Sequence, residues 1–543
     1  MNMQLRTYFS DEKKKWIFIL KICMVAGILI RFYHFFYNRS LWMDEVYLSS
    51  SLLKTNYLDL AMKPLYYQQK APLGFLWLVR FMVETFGNME LCLRIIPLVS
   101  GIASMFLFVP VSRYFLSQPG AVLATGILCL SPALIYHSVE IKQYSTELLA
   151  TILSLYLFIK YSRTKDVKNM FIWSISGALI LWFSYSAIFI LAGIAIGLSS
   201  FYLATKNIKQ FSISTIPFTI WLISFAVNYL LFTHKHAESE WIAYWFRSYH
   251  NFMPFPPSSF ADIKWFFINI YRMMDYPLGL LWNFNSISSV FGILVKLPFI
   301  PITLLLAGAY AFIRGSKTNA LVIFVPVLLT FIASGLELYP LTERFWVFIS
   351  PVFMLMIANG FSHIATKFRF GKLTVPFFLL VMTPAIIQSA ASMIRPEQFY
   401  VHKKSFQREA LLFVNRNYRA DDAVYVYWNN LPGYKLYKLM YPLKYTAIEG
   451  QDQRKSAQNY VDYYRRLKRD FSKFSTGKRV WLIYNTRFLT DIGDRIDEPF
   501  WYYKDRKTPT DHLLEEFRKM GRPIRKFVSA DVSVYLFELN KTN

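Results

Sequence analysis

Apolar stretches close to 20 residues long recur through the first 392 positions, the length that carries a helix across a bilayer. They predict eleven spans, at roughly 16–36, 92–112, 120–137, 143–160, 170–184, 187–204, 212–232, 290–313, 319–335, 345–365 and 374–392. The first follows Asp11, Glu12, Lys13, Lys14 and Lys15 with no small-residue cleavage site, and so reads as a retained anchor with a cytoplasmic amino terminus. The stretch 276–300 holds Asn283, Asn285, Lys296 and Pro298 and could contain a re-entrant segment. Beyond residue 393 the pattern changes. Ala423–Trp428 and Val480–Tyr484 are apolar runs of strand length, Lys526–Glu538 suits one or two more strands, and Phe406–Asn415 and Asp511–Met520 are amphipathic at helical period. The expectation is an α-helical polytopic membrane module over 1–392, with a long first outer loop at 37–91, followed by an extracytoplasmic α/β domain over 393–543.

Composition supports lipid as the solvent. Hydrophobic residues make up 55% of the 543 and charged residues 17%, against roughly 25% charged in an ordinary globular chain. Cys23, Cys92 and Cys129 all fall inside apolar runs, where they read as small buried hydrophobes. The net charge of +26 would raise the question of nucleic acid in a soluble protein, but basic residues flanking spans account for it without such a partner.

Charge also orients the chain. Loops predicted inside carry Arg113; Lys160, Arg163, Lys165 and Lys168; Lys206 and Lys209; Arg314 and Lys317; and Lys367, Arg369 and Lys372. The short loops predicted outside carry Glu140 with Lys142, no charge at 184–187, and Glu337, Glu343 and Arg344. Both sets fit one topology under the positive-inside bias. Eleven spans put the carboxyl-terminal segment outside, where residues 393–543 hold 29 Lys+Arg against 18 Asp+Glu.

The outer loops hold the candidate chemistry. Leu41-Trp42-Met43-Asp44-Glu45-Val46-Tyr47-Leu48 places two adjacent carboxylates where the first span ends. Trp42, Tyr47, Leu48, Leu52 and Leu53 fit a helix lying in the membrane interface, and the acids either complete its N-terminal turn or act chemically. Lys63 and Lys70 project from a segment constrained by Pro64 and Pro72, free to meet an anion or to reach headgroup phosphates. His137, Glu140 and Tyr144 recur at i, i+3 and i+7, which would place them on one helical face beside Lys142. Arg344 stands at the mouth of the tenth span, either as a phosphate ligand or as a surface partner of Glu343. Phosphate-binding glycine loops, His-Glu-x-x-His, Gly-x-Ser-x-Gly and metal-spaced Cys/His sets are missing from the sequence, so ATP-driven transport and zinc or serine hydrolysis lack support.

Taken in order, Trp42-x-Asp44-Glu45, Lys70-Ala-Pro-Leu, Glu140-x-Lys142-x-x-Tyr144 and Glu343-Arg344-Phe345 resemble the GT-C superfamily of polyprenyl-phosphate-sugar glycosyltransferases. The branch they resemble holds the protein O-mannosyltransferases and the bacterial aminoarabinose transferase of lipid A. That resemblance implies transfer of a sugar from an undecaprenyl-type phosphate to a hydroxyl of a lipid, glycan or protein, with inversion, at the outer face of a bacterial inner membrane. It also implies Asp44 as the base and Glu45 as its orienter or as part of a divalent-cation site for Mg2+ or Mn2+, a pair too small to hold such an ion alone. Arg344, Lys70 and Lys63 would face phosphate, while Glu140, Lys142, Tyr144 and His137 would contact sugar or phosphate. Relatives often carry Arg where this chain has Lys142, which lacks the bidentate fork. A lipid-linked saccharide transporter would instead place its charges near the midplane, and a scaffold with an outer binding domain would gain little from the acidic pair.

Overall fold

The computed structural model describes residues 3–164, 166–234, 240–282, 296–399, 404–474, 478–489, 499–504 and 506–540. Asn283, Asn285 and the heart of the re-entrant prediction lie outside the described residues, as do positions 290–295 of the eighth predicted span.

Helices run at all eleven predicted spans. Six described helices are long and apolar enough to cross a membrane, among them α1 (Met3–Tyr37), α5 (Glu90–Phe115), α10 (Ala187–Ala204) and α11 (Ile208–Asn228). Shorter apolar helices are α6 (Gln118–Leu130), α9 (Val167–Phe183) and Phe299–Arg314. Two further predicted spans are the helices α8 (Tyr144–Tyr161) and Ser350–Lys367, whose faces are largely covered by neighbouring helices. Gly308 and Gly360 let Phe299–Arg314 and Ser350–Lys367 touch backbone to backbone: an added Cβ would lie 1.7 Å from Met356 O and 1.8 Å from Leu304 O, respectively. That close contact anchors the helix following Arg344.

One predicted span is divided. α6 ends at Leu130, and α7 (Pro132–His137) restarts with Ser131 as its cap and Pro132 in its first turn. Proline cannot donate into a continuing ladder, so the chain turns there. α7 and α8 are separate helices, so His137, Glu140 and Tyr144 do not share a single helical face as the spacing had suggested.

The predicted first outer loop folds as α2 (Met43–Lys54), α3 (Tyr57–Met62) and α4 (Leu73–Phe86). Here the interfacial expectation for α2 is corrected. Leu48 and Leu52 have no solvent exposure and join Val46, Phe75 and Val79 in an apolar core shared with Leu411, Val414, Leu436, Trp481 and Ile483 of the carboxyl-terminal domain. Protein rather than lipid covers this apolar face, because the domain supplies the complementary surface.

That domain is a five-stranded mixed sheet in the order β2-β1-β3-β5-β4. β1 (Asp422–Val426) pairs in parallel with β2 (Ile448–Glu449) and β3 (Arg479–Asn485), and β5 (Val532–Leu539) runs antiparallel to both β3 and β4 (Gly521–Val528). Helices cover both faces, as a buried parallel core requires. One face packs on the first loop, and the other buries an aromatic layer that includes Tyr425, Tyr463, Phe474 and Phe517.

A buried carboxylate joins domain to membrane module. Glu90, at the start of α5, accepts from Arg408 Nη1 at 2.6 Å, Tyr437 OH at 2.8 Å, Tyr441 OH at 2.9 Å and Asn38 Nδ2 at 3.2 Å. Tyr437 OH in turn accepts the Leu41 backbone N–H at 2.8 Å. The domain therefore grips the few residues that lead into Asp44.

Candidate active site

α2 begins at the point where the first loop leaves the membrane, and successive helical residues diverge by about 100°. Asp44 and Glu45 consequently point to different surroundings. Glu45 has no solvent exposure. Its oxygens meet Arg39 Nη1 at 2.8 Å and Arg94 Nη2 at 3.6 Å, and accept the backbone N–H groups of Ile141 at 2.9 Å and Trp42 at 3.2 Å. It ties the first outer loop to α5 and to the loop between α7 and α8. With both oxygens engaged by donors and cations, Glu45 does not suit a divalent cation, and no cluster of three metal-ligating side chains occurs among the described residues. Of the two roles the resemblance left open for Glu45, orienter of Asp44 or metal ligand, these contacts suit the first.

Asp44 faces the mouth of the bundle with about a quarter of its side chain exposed, and its Oδ2 lies 2.7 Å from Arg344 Nη1. Arg344 therefore pairs with Asp44, 300 positions away, rather than with its neighbour Glu343. Glu343 has φ +26°, a costly backbone state that turns the chain just before the arginine. The guanidinium lies 5.9 Å from the Tyr144 ring centroid and 5.7 Å from that of Phe345. Burial works against its charge, but the phenol of Tyr144 and the carboxylates of Asp44 and Glu140 outweigh burial and raise its pKa above the ordinary value.

Glu140 is fully buried and its carboxylate is already engaged, which departs from the expected direct contact with substrate. Oε1 accepts from Trp42 Nε1 at 3.1 Å, and Oε2 sits 2.6 Å from His137 Nδ1. His137 Nε2 bonds the hydroxyl of Tyr276, and its ring meets that of Tyr144 edge-on at 4.9 Å. His137, Glu140 and Tyr144 thus assemble across the α7–α8 turn and fix Trp42, two residues before Asp44.

Two lysines carry positive charge with no carboxylate partner among the described residues. Lys142 is buried and donates to Gln69 Oε1; burial lowers its pKa, Asp44 opposes that shift and Arg344 adds to it. Lys70 is half-buried, and burial alone lowers its pKa. Both depend on a strained segment in which Tyr67 and Gln68 have φ of +56° and +51°. Tyr67 stacks on Tyr47 at 4.4 Å, and Tyr185 OH donates to Ala71 O at 2.7 Å. Lys63 does not join this group: it is mostly exposed and pairs with Asp59 at 3.0 Å.

Five residues here escaped the sequence reading. Arg39, Arg94 and Gln69 lacked a motif, while Tyr276 lies in a loop whose helices, Glu240–Ser248 and Phe260–Asp275, had not been anticipated. Glu147 did carry a signal, since a carboxylate inside a span is functional by default; it is buried one turn beyond Tyr144 and has no ion pair among the described residues.

The contacts across this site join loops predicted to share one side of the membrane with the adjoining ends of predicted spans. Residues 70–243 match the model of the dolichyl-phosphate-mannose-protein mannosyltransferase family, a segment that holds Lys70, His137, Glu140, Lys142 and Tyr144. Among solved structures, ArnT from Cupriavidus metallidurans bound to undecaprenyl phosphate aligns over 96% of this chain and 97% of its own, at TM-score 0.51 and 11% identity. The oligosaccharyltransferase of Archaeoglobus fulgidus, solved with zinc and sulfate, aligns over 94% of this chain and 72% of its own, at TM-score 0.51 and 14% identity. The same archaeon's AglB, solved with an inhibitory peptide and a dolichol-phosphate, aligns over 96% and 74%, at TM-score 0.51 and 13% identity. The chain has a GT-C glycosyltransferase fold. No curated protein matches it in sequence. With that fold and its long apolar helices, it is a multi-pass membrane protein.

Proposed function

We propose that this chain transfers a sugar from an undecaprenyl-type polyprenyl phosphate to a hydroxyl of a lipid, glycan or protein acceptor. The reaction takes place at the outer face of a bacterial inner membrane, with residues 1–392 as the catalytic module and 393–543 as an extracytoplasmic cap. The observation that carries this reading is the Asp44–Arg344 pair at 2.7 Å, a partly open carboxylate held by an arginine, with both charges felt by buried Lys142, which has no carboxylate partner among the described residues.

The charges suggest an order of events. In the resting site Arg344 neutralises Asp44, and Lys70 and Lys142 supply the surplus that draws in a lipid phosphate. As phosphate arrives it competes for the guanidinium, which leaves the carboxylate free to accept a proton. Asp44 then takes the proton from the acceptor hydroxyl while its oxygen bonds to the anomeric carbon and the bond from that carbon to phosphate oxygen breaks. Negative charge grows on the departing phosphate, where Arg344, Lys70 and Lys142 stabilise it, so no acid is needed for the leaving group. Tyr144, against Arg344, borders the sugar. Glu45, Glu140 and His137 act by position, holding α2 and Trp42 so that Asp44 projects into the mouth.

The test is Asp44→Asn, an exchange of nearly equal size at a quarter-exposed position. It is expected to leave insertion and thermal stability unchanged and to reduce transfer by about a hundredfold or more, the scale of a lost general base. Wild-type turnover by the variant, measured with a radiolabelled polyprenyl-phosphate hexose in membranes, would overturn the assignment.

A further inference from the structure

A carboxyl group inside a membrane helix is costly to keep and normally meets a cation or a hydrogen-bond donor. Glu147, in the first turn of α8, meets neither among the described residues. Two neighbours on the same turn share the defect, since Gln143 Oε1 and Thr146 Oγ1 are enclosed without a hydrogen-bond partner. Positions 143, 146 and 147 recur at i, i+3 and i+4, so they lie on one face of the turn, with Tyr144 at its edge. That face is not sealed. Gln143 keeps 8% of its surface, Thr146 6% and Glu147 5%, where Glu45 and Glu140 keep none.

Aromatic residues from other segments close around the carboxyl. Burial and the nearby Glu147 both raise the pKa of Tyr185, in the turn between α9 and α10, and of Tyr339, in the loop that leads to Arg344. Neither phenol gives its proton to Glu147: Tyr185 OH donates to Ala71 O at 2.7 Å, and Tyr339 OH to Phe345 O at 3.2 Å. The ring of Phe345 meets those of Tyr339 at 5.7 Å and Tyr144 at 6.3 Å. Tyr185, Tyr339 and Phe345 are each only half-buried, which leaves this wall an open side. The same residues adjoin the cations of the candidate site. Ala71 follows Lys70, and Tyr144 and Phe345 flank the Arg344 guanidinium.

We propose that Glu147 is a specificity-determining residue of the donor site, which accepts hydrogen bonds from the ring hydroxyls of a non-anionic hexose whose phosphate lies on Arg344, Lys70 and Lys142. The proposal rests on the transferase reading and names the sugar class which that reading leaves open. Glu147 and Gln143 Oε1 are acceptors and Thr146 can act either way, so a ligand here must bring donors. Sugar hydroxyls bring several. A uronic acid would instead set its own carboxylate against Glu147, and like charges in a shielded site repel. Aromatic faces, negative in their quadrupole, suit the C–H side of a pyranose. Placement agrees as well, because Glu147 stands three residues past Tyr144, about 4.5 Å along the helix axis, a step that a pyranose hanging from the phosphate can span.

The test uses the full chain in lipid nanodiscs and native mass spectrometry, with undecaprenyl phosphate and its glucose, mannose and glucuronic acid derivatives as probes. Wild type is expected to bind at least one hexose derivative about tenfold or more tighter than both the bare lipid phosphate and the glucuronate. Glu147→Leu should lose that gain, the scale of a hydrogen bond to a charged group, while its affinity for the bare lipid phosphate stays the same. Its melting temperature should hold or rise, because an unmatched buried carboxyl gives way to an apolar group. Glu147→Gln should narrow the preference for hexose over glucuronate. Asp44→Asn should keep the wild-type preference whatever it does to transfer, which separates sugar recognition from catalysis. Binding of none of the four lipids by wild type would overturn the transferase reading and this proposal with it. Three results would overturn the proposal alone: bare lipid phosphate bound with no gain from either hexose, the full gain kept in Glu147→Leu, or an equal loss of bare and hexose-bearing lipid in that variant.

Discussion

Adjacent carboxylates at the head of α2 divide the labour because the helix turns them apart. Asp44 is partly open and faces one arginine, whereas Glu45 is buried between Arg39 and Arg94. Removing one member of a buried ion pair leaves an uncompensated charge, at a cost of about 3–5 kcal/mol. Glu45→Gln should therefore lower the melting temperature and the yield of inserted protein, while Asp44→Asn does neither. Thermal unfolding of both variants in the same detergent checks the contrast, and equal stability would show that Glu45 is no more structural than its neighbour. From sequence, the pair at positions 44 and 45 stood out and the family resemblance implied Asp44 as base with Glu45 as its orienter or a metal ligand, but what holds each acid in place did not show. That division depends on Arg39, Arg94 and the Ile141 backbone N–H, none of which a linear motif reveals.

Helices and loops show the same mixture. Apolar length located the spans, and Lys and Arg sorted the loops into two sets, one of which gathers at the site. Contact with the carboxyl-terminal domain was hidden, because an amphipathic helix has the same pattern whether lipid or protein covers it. α2 is covered by protein, and Glu90 helps hold that cover in place with four donors from three segments. Hydrogen bonds to a buried charged group contribute about 1.5–3 kcal/mol each. Glu90→Gln should thus loosen the docking and speed amide exchange by about tenfold or more in the helices Gln407–Asn417 and Leu431–Met440. Lys438→Ala, on the exposed side of the second helix, should not. Hydrogen–deuterium exchange with peptide resolution reads both, and matching profiles would remove Glu90 from the docking role.

At the scale of the whole molecule, function depends on which side of the bilayer the mouth opens. The folded chain joins the loop after α1 to Ile141 and Arg344, and His137 to Tyr276, so that four segments separated by membrane helices gather at one end. This arrangement requires the parity of the predicted spans between those segments, and the basic loops then point the opposite end toward the cytoplasm. The native cysteines, Cys23, Cys92 and Cys129, are all buried, so the protein offers a quiet background for labelling. Lys63→Cys and Lys444→Cys place thiols at exposed positions on the site's side, and Lys206→Cys, Lys317→Cys and Lys372→Cys do so at the other end. In intact spheroplasts a membrane-impermeant maleimide should label the first two at once and the last three only after lysis. The reverse pattern would turn the Asp44–Arg344 mouth toward the cytosol, where an extracytoplasmic acceptor could not reach it.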